Sequence, residues 1–129
     1  MSHKSRGTAA ERDLIHKFWA KEWAAIRSAG SGSMRYASPD LIVGKGGRRL
    51  LIEAKLTSSS KKYIPKDDVD QLLYFAEVFA GEAWFAIKFP KTPWYFLTPE
   101  DMEDTGKNMA MSMELAKLRG LTFEELIRD

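Results

Sequence analysis

From Thr8 to about Ala24 the apolar residues recur at helical spacing, with Leu14, Phe18 and Ala25 in line and Ile15, Trp19 and Trp23 beside them. Thr8-Ala9-Ala10-Glu11 has the S/T-x-x-E form of a capping box, which satisfies orphan amides, so the helix is expected to open at Thr8. Residues 1–7 are then a flexible basic arm. Ala25-Ile26-Arg27 reads as a short strand, and Ser28-Ala29-Gly30-Ser31-Gly32-Ser33 as a loop too small-sided to build a core. A strand is expected from Pro39 to Gly44, its proline standing where a missing amide is tolerated. Lys45-Gly46-Gly47 is the turn and Arg48 to Leu56 the returning strand of a hairpin. By period two Leu50, Ile52, Ala54 and Leu56 share one face of it, while Leu51, Glu53 and Lys55 share the other.

Thr57 to Lys62 reads as a polar, basic loop. Beyond Pro65 a strong helix is expected over Asp67 to Ala80, with Asp67 and Asp68 complementing the dipole of its first turn. Val69, Leu72, Leu73, Ala76 and Phe79 form its apolar stripe. Tyr74, Phe75 and Val78 widen that stripe past one buried face, so the helix is expected to pack on a second side, against another subunit. Gly81 is the natural residue for its left-handed end. Ala83 to Phe89 and Trp94 to Leu97 read as strands separated by Pro90 and Pro93. Asn108 to Leu118 fits either a strand with Met109, Met111 and Met113 alternating or a helix ended by Gly120. Thr122-Phe123-Glu124-Glu125 is a second capping box, opening a last short helix. The order predicts an α/β domain with a mixed central sheet flanked by helices.

Composition narrows the picture further. A chain of 129 residues with 44% hydrophobic side chains suits one domain with a sizeable core. There is no cysteine, which excludes disulfide scaffolds, thiolate-bound zinc and a cysteine nucleophile; two histidines supply neither a His-rich metal site nor a Ser-His-Asp triad well. No apolar run approaches the roughly 20 residues that span a bilayer, and no apolar signal stretch follows the basic start. A soluble, intracellular protein with no membrane partner is expected. The net charge of +2 conceals a division, since residues 1–66 carry 14 Lys+Arg against 5 Asp+Glu and residues 67–129 carry 6 against 13. A half so basic is the footprint of a phosphate-backbone partner.

The chemistry concentrates in the hairpin. Glu53 and Lys55 lie two apart on a strand, so both side chains leave from one face roughly 6–7 Å apart. Asp40, near the start of the neighbouring strand, can reach the same spot. Two carboxylates and a lysine, joined by the backbone carbonyl of Ala54, offer the hard oxygen ligands that Mg²⁺ takes while keeping several waters. Such an ion can neutralise a phosphate oxygen, lower the pKa of a bound water and stabilise a leaving 3′ oxygen, with Lys55 adding positive charge beside the attacking water. The same residues could instead be a turn aspartate and a surface salt bridge. Glu11 is either the capping partner of Thr8 or an acid at this site, because one side chain cannot do both. Lys61, Lys62 and Lys66 flank a serine-rich loop and either touch phosphates or solubilise it. Trp19 and Trp23 read as core or interface residues, and His16 as a polar-face residue.

Pro39-Asp40 with Glu53-Ala54-Lys55 resembles the PD-(D/E)xK motif of the restriction-endonuclease-like nucleases. More narrowly, the chain resembles the archaeal Holliday-junction resolvases. Arg6-Gly7, Glu11-Arg12, Arg27-Ser28-Ala29-Gly30-Ser31, the hairpin, Tyr63-Ile64, Asp68–Phe75 and Ala86-Ile87-Lys88-Phe89 carry that likeness. The resemblance implies a restriction-endonuclease-like core and a homodimer that nicks opposed strands of four-way junction DNA with Mg²⁺ or Mn²⁺; Tyr74, Phe75 and Val78, which widen the apolar stripe, are the residues expected at the dimer interface. It makes Asp40 and Glu53 metal ligands, Lys55 the catalytic lysine and Glu11 a further active-site acid that can also reach the metal. Ser31 is the chosen counterpart of a loop serine that assists cleavage, with Ser28 and Ser33 as competitors. Arg6, Arg12 and Arg27 fall to the DNA interface, and the cytoplasm, at the nucleoid, is the expected location. A sliding clamp or other recombination proteins are further candidate partners. Alternatives are another PD-(D/E)xK repair or restriction-like endonuclease, or an inactive DNA-binding protein on the same fold.

Overall fold

A computed structural model describes residues 3–28, 36 and 38–128, with the backbone alone for residues 3–6. The chain is mixed α/β with a mixed central sheet flanked by helices, as expected. It divides into two compact units, Met1–Ala54 with Gln71–Ala83 and Lys55–Asp70 with Trp84–Asp129.

In the first unit, helix α1 (His3–Ala20) precedes strands β1 (Ala24–Arg27), β2 (Leu41–Lys45) and β3 (Arg48–Leu56). The helix opens at His3 rather than Thr8. The expected capping box is therefore absent: Thr8 lies inside the helix, and of the expected arm residues 3–7 are helical. Leu14 and Phe18, one turn apart, are its buried positions, and the Phe18 ring packs on that of Trp23 with centroids 6.0 Å apart. The helix stops earlier than the apolar pattern suggests. Glu22 takes a left-handed φ of 64°, and the amides of Trp23 and Glu22 turn back to the carbonyls of Phe18 and Trp19, both at 3.0 Å. That Schellman closure frees Ala24 to begin a strand.

β1 and β3 both pair antiparallel with β2, Arg27 standing opposite Leu41 and Leu41 opposite Ile52. The hairpin turn is Gly46-Gly47, with Gly46 at φ 59°, and β3 has the expected bounds. Leu50, Leu51 and Ile52 are fully buried in succession, so both faces of β3 are covered there. Burial relaxes from Glu53 onward, and the charged residues fall where the strand emerges.

Helix α2 (Lys66–Phe79) begins one residue before the expected start, with Asp67 and Asp68 in its first turn. Its end corrects the sequence reading. Ala80, not Gly81, holds the left-handed conformation at φ 61°; its amide bonds to Glu77 O at 3.2 Å and that of Gly81 to Ala76 O at 2.8 Å.

The second unit holds the remaining strands. β5 (Glu82–Lys88), in this unit from Trp84 onward, and β6 (Trp94–Leu97) are an antiparallel pair, Phe85 opposite Leu97. β4 (Lys61–Pro65), β7 (Glu103–Asp104) and β8 (Asn108–Ser112) form a separate three-stranded sheet in the order β4-β8-β7. Sequence reading carries its loop to Lys62, two residues into β4, assigns no strand to Tyr63–Pro65 and does not anticipate this sheet. Asn108–Leu118 is both of its expected alternatives in turn, β8 and then helix α3 (Met113–Arg119), whose N-cap Ser112 accepts from Leu115 N–H. Helix α4 (Phe123–Leu126) opens on the expected capping box: Thr122 Oγ1 accepts from Glu125 N–H at 3.2 Å and Glu125 Oε1 from Thr122 N–H at 2.9 Å. Phe85, Ile87, Phe96, Ala110, Met111, Ala116 and Leu126 are buried residues of this unit.

Candidate active site

The hairpin brings Asp40 and Glu53 together by register. Leu41 opposes Ile52 as the last pair of the ladder, so the residue directly before β2, Asp40, and the next residue of β3, Glu53, follow it outward. Residues opposed across an antiparallel pair leave from the same face with Cβ atoms about 4.5–5.5 Å apart, within reach of a shared ion for two carboxylates. Asp40 is fixed twice. Its Oδ2 accepts the Ala54 amide at 2.9 Å, and its own carbonyl accepts the Ser28 amide at 2.8 Å. The first bond turns the carboxylate toward β3; the second ties its backbone to the end of β1. Asp40 and Glu53 are both half-buried, the setting in which charge interactions exceed those in open water. Lys55 follows Ala54 on β3 and shares the side of the strand with Glu53.

Glu11 and Arg27 form a second group at the same end of β1. Arg27 Nε donates to Glu11 Oε1 at 2.6 Å, and Arg27 Nη2 lies 3.5 Å from Thr8 Oγ1, one helical turn from Glu11. Thr8 and Glu11, expected to bond with each other, instead meet the same guanidinium. Arg27 opposes Leu41, the neighbour of Asp40, so the ion pair stands beside the carboxylate strand. Among the described residues no three acids gather as a metal cage, so Glu11 does not join Asp40 and Glu53 in one cluster.

The serines divide. Ser31 and Ser33 lie outside the described residues. Ser28 Oγ is 3.0 Å from Ser38 Oγ, a contact that sequence reading misses because nothing in the spacing of two serines marks it. Of the expected DNA contacts, Arg12 is exposed on α1, Lys62 is half-buried, and the Arg6 side chain lies outside the described residues. Lys61 Nζ is 3.5 Å from Glu103 Oε2, and Lys66 Nζ is 2.8 Å from Asp104 Oδ1. Those acids are missed by sequence reading, although Glu103-Asp104 stands directly before the turn at Gly106. On α2 Tyr74 and Val78 are each 70% exposed, Leu73 and Phe79 are also exposed, and Phe75 is half-buried with its ring stacked on Phe79.

The donor set fits a hard divalent cation. Two carboxylates and a carbonyl at an opening hairpin suit Mg²⁺, which is usually held by one or two carboxylates and otherwise keeps its water. An α/β fold with P-D and E-x-K on one hairpin thus has the parts of a metal-dependent nuclease. Residues 2–129 match the family model of the archaeal Holliday junction resolvase (Hjc). The chain is 38% identical over 129 residues to the crossover junction endodeoxyribonuclease Hjc of Archaeoglobus fulgidus, covering 95% of each chain. It is also 38% identical to the Hjc of Methanocaldococcus jannaschii, covering 98% of this chain and 91% of that one. The solved structure of Archaeoglobus fulgidus Hjc, a Holliday junction resolvase from an archaeal hyperthermophile, superposes with a TM-score of 0.86, covering 93% of this chain and 98% of that chain. The chain belongs to the archaeal Holliday junction resolvase family.

Proposed function

We propose that this chain is an endonuclease that resolves four-way DNA junctions by Mg²⁺-dependent phosphodiester hydrolysis, acting as a homodimer in the cytoplasm at the nucleoid. The observation that carries the reading is the Asp40 carboxylate, held by the Ala54 amide at 2.9 Å beside Glu53, in a chain of the resolvase family. Asp40, Glu53 and the Ala54 carbonyl would hold Mg²⁺ (Mn²⁺ as substitute), which supplies an activated water and charge stabilisation at phosphorus. The Ala54 residue then works in two directions. Its amide orients Asp40 while its carbonyl offers an oxygen.

Lys55 places an ammonium beside the developing negative charge of the phosphorane-like transition state. Arg27 neutralises Glu11, which limits the repulsion of an acid close to the DNA backbone, and Glu11 acts beside the site rather than as capping partner of Thr8. Ser31 is the loop serine proposed to assist cleavage. Arg6, Arg12, Arg27 and Lys62 supply largely sequence-independent affinity, and Lys61 and Lys66 add to it where they exchange their carboxylate partners for phosphates. One domain offers one site and resolution needs two symmetric cuts, so a two-fold dimer through the exposed face of α2 serves the reaction. The relatives match along nearly the whole chain, which supports reading residues 1–129 as a single nuclease domain.

The test compares nicking of a four-way junction, a nicked duplex and a plain duplex, each arm labelled, with and without Mg²⁺. The junction is expected to be cut in preference, and Glu53→Gln to abolish cutting while junction binding is largely kept. Equal cleavage of all three substrates would defeat the junction assignment. Loss of binding as severe as loss of cutting would give Glu53 a docking role.

A further inference from the structure

Two of the lysines assigned to the DNA face already hold carboxylate partners, and the fold has built those partners in. Tyr63 opposes Ala110 and Ala110 opposes Glu103, so the three stand in one row across the β4-β8-β7 sheet. Lys61, two residues before Tyr63, shares its face. The Lys61 ammonium lies 3.5 Å from Glu103 Oε2 and 5.5 Å from the centre of the Tyr63 ring. One residue further, Asp104 receives Lys66 Nζ at 2.8 Å on Oδ1 and 2.9 Å on Oδ2.

Asp104 is held by its turn as well. Its Oδ1 accepts the Gly106 amide at 2.9 Å, and Gly106 adopts φ 105°, a conformation that side chains rarely take. The Thr105 amide and hydroxyl both donate to Asn108 O at 2.9 Å, closing the turn. The bond from Lys66, with the Gly106 amide second, keeps the Asp104 carboxyl below the ordinary carboxylate range. Ion pairs this exposed add little to the stability of a fold, so the turn that aims Asp104 points to another use.

We infer that Glu103 and Asp104 are specificity-determining residues that keep Lys61 and Lys66 as neutralised pairs and so weaken binding to plain duplex DNA. The inference rests on the reading of this chain as a junction nuclease. A free lysine gains from the counterions it releases at a phosphate. A lysine already bound to a carboxylate must exchange partners, and the carboxylate left behind is repelled by the DNA backbone. Non-specific duplex binding consists almost entirely of phosphate contacts and draws on every free cation within reach, so it bears the loss in full; a junction, held also through its shape, engages these two lysines less and loses less.

The experiment measures the affinity of the full chain for plain duplex and for a four-way junction over a salt series, for wild type and for Glu103→Gln/Asp104→Asn. Releasing two lysines steepens the logarithmic salt slope for duplex by up to about 2, which raises duplex affinity up to about tenfold at 50 mM salt relative to 200 mM. Junction affinity is expected to rise less, so the junction-to-duplex ratio falls. Each single substitution is expected to give roughly a threefold share, which keeps the test decisive if the pair folds poorly. Adding Lys61→Gln and Lys66→Gln is expected to remove the gain; a gain that persists is a general charge effect and overturns the inference. An unchanged duplex slope, with wild type still binding and cutting the junction, overturns it and leaves the nuclease reading standing. Wild type that does not bind the junction overturns both.

Discussion

The end of α2 offers a prediction in which neighbouring substitutions act with opposite signs. Ala80 occupies the left-handed region at φ 61°, where an L-residue's Cβ crowds the carbonyl at a cost of roughly 1–2 kcal/mol. Gly81 is a glycine for a different reason. A Cβ there would stand 2.3 Å from Leu51 Cδ2, 2.9 Å from Arg49 O and 3.3 Å from Arg49 Cβ. Leu51 is fully buried and the carbonyl belongs to β3, so neither can retreat cheaply. Ala80→Gly removes the crowding but enlarges the entropy of the unfolded chain, which returns about 0.4–1 kcal/mol, so a net gain of about 0.5–1 kcal/mol is expected. Gly81→Ala gains that same entropy and meets an overpacking cost of about 1–3 kcal/mol, a net loss of about 0.5–2.5 kcal/mol. Urea unfolding monitored by tryptophan fluorescence reads both, as midpoints moving apart at constant m-value. A midpoint lowered by Ala80→Gly, or left in place by Gly81→Ala, would refute this account of the cap.

Val78→Lys places a charge on the exposed face of α2 near its C-terminus, where a cation does not harm the helix itself. It is expected to convert the proposed dimer to monomers in sedimentation with the fold retained; an unchanged dimer puts the interface elsewhere, and a monomeric wild type overturns the proposed dimer. The carboxyl of Glu125 titrates below its ordinary 4.5, through the Thr122 amide first and the Thr122 hydroxyl second. A group whose pKa is depressed by folding stabilises above its unfolded value and ceases to as pH falls through its folded one. Wild type is therefore expected to melt above Glu125→Gln at neutral pH, the gap closing as the pH drops below 4.5. A gap that stays constant into strong acid would show that the capping box does not depend on the carboxylate.

Elements set by short-range pattern were legible in the chain. The Gly-Gly turn and period-two strand placed β3 with its observed bounds, and Thr122 with Glu125 marked α4. Asp40, Glu53 and Lys55 could be proposed together because one hairpin carries all three. The same pattern misled at Thr8, where an identical S/T-x-x-E spelling lies inside a helix and an arginine from β1 takes the glutamate. Nothing local distinguishes the two cases. β4 was missed because its partner β8 is far along the chain, Lys61 opposing Ser112, and a short basic segment ending in proline has no strand signal of its own. Gly81 was expected at the left-handed position because glycine is the usual occupant; the steric demand of Leu51 moved it one residue on.

The hydroxyls of Ser28 and Ser38 meet at 3.0 Å, and the Ser28 amide grips the Asp40 carbonyl at 2.8 Å. Together they make a knot at the root of the segment spanning 29–37. Evolution can therefore lengthen, shorten or recompose that segment while the first carboxylate keeps its place. The placement of that carboxylate is thereby uncoupled from what the stretch between the two serines contains.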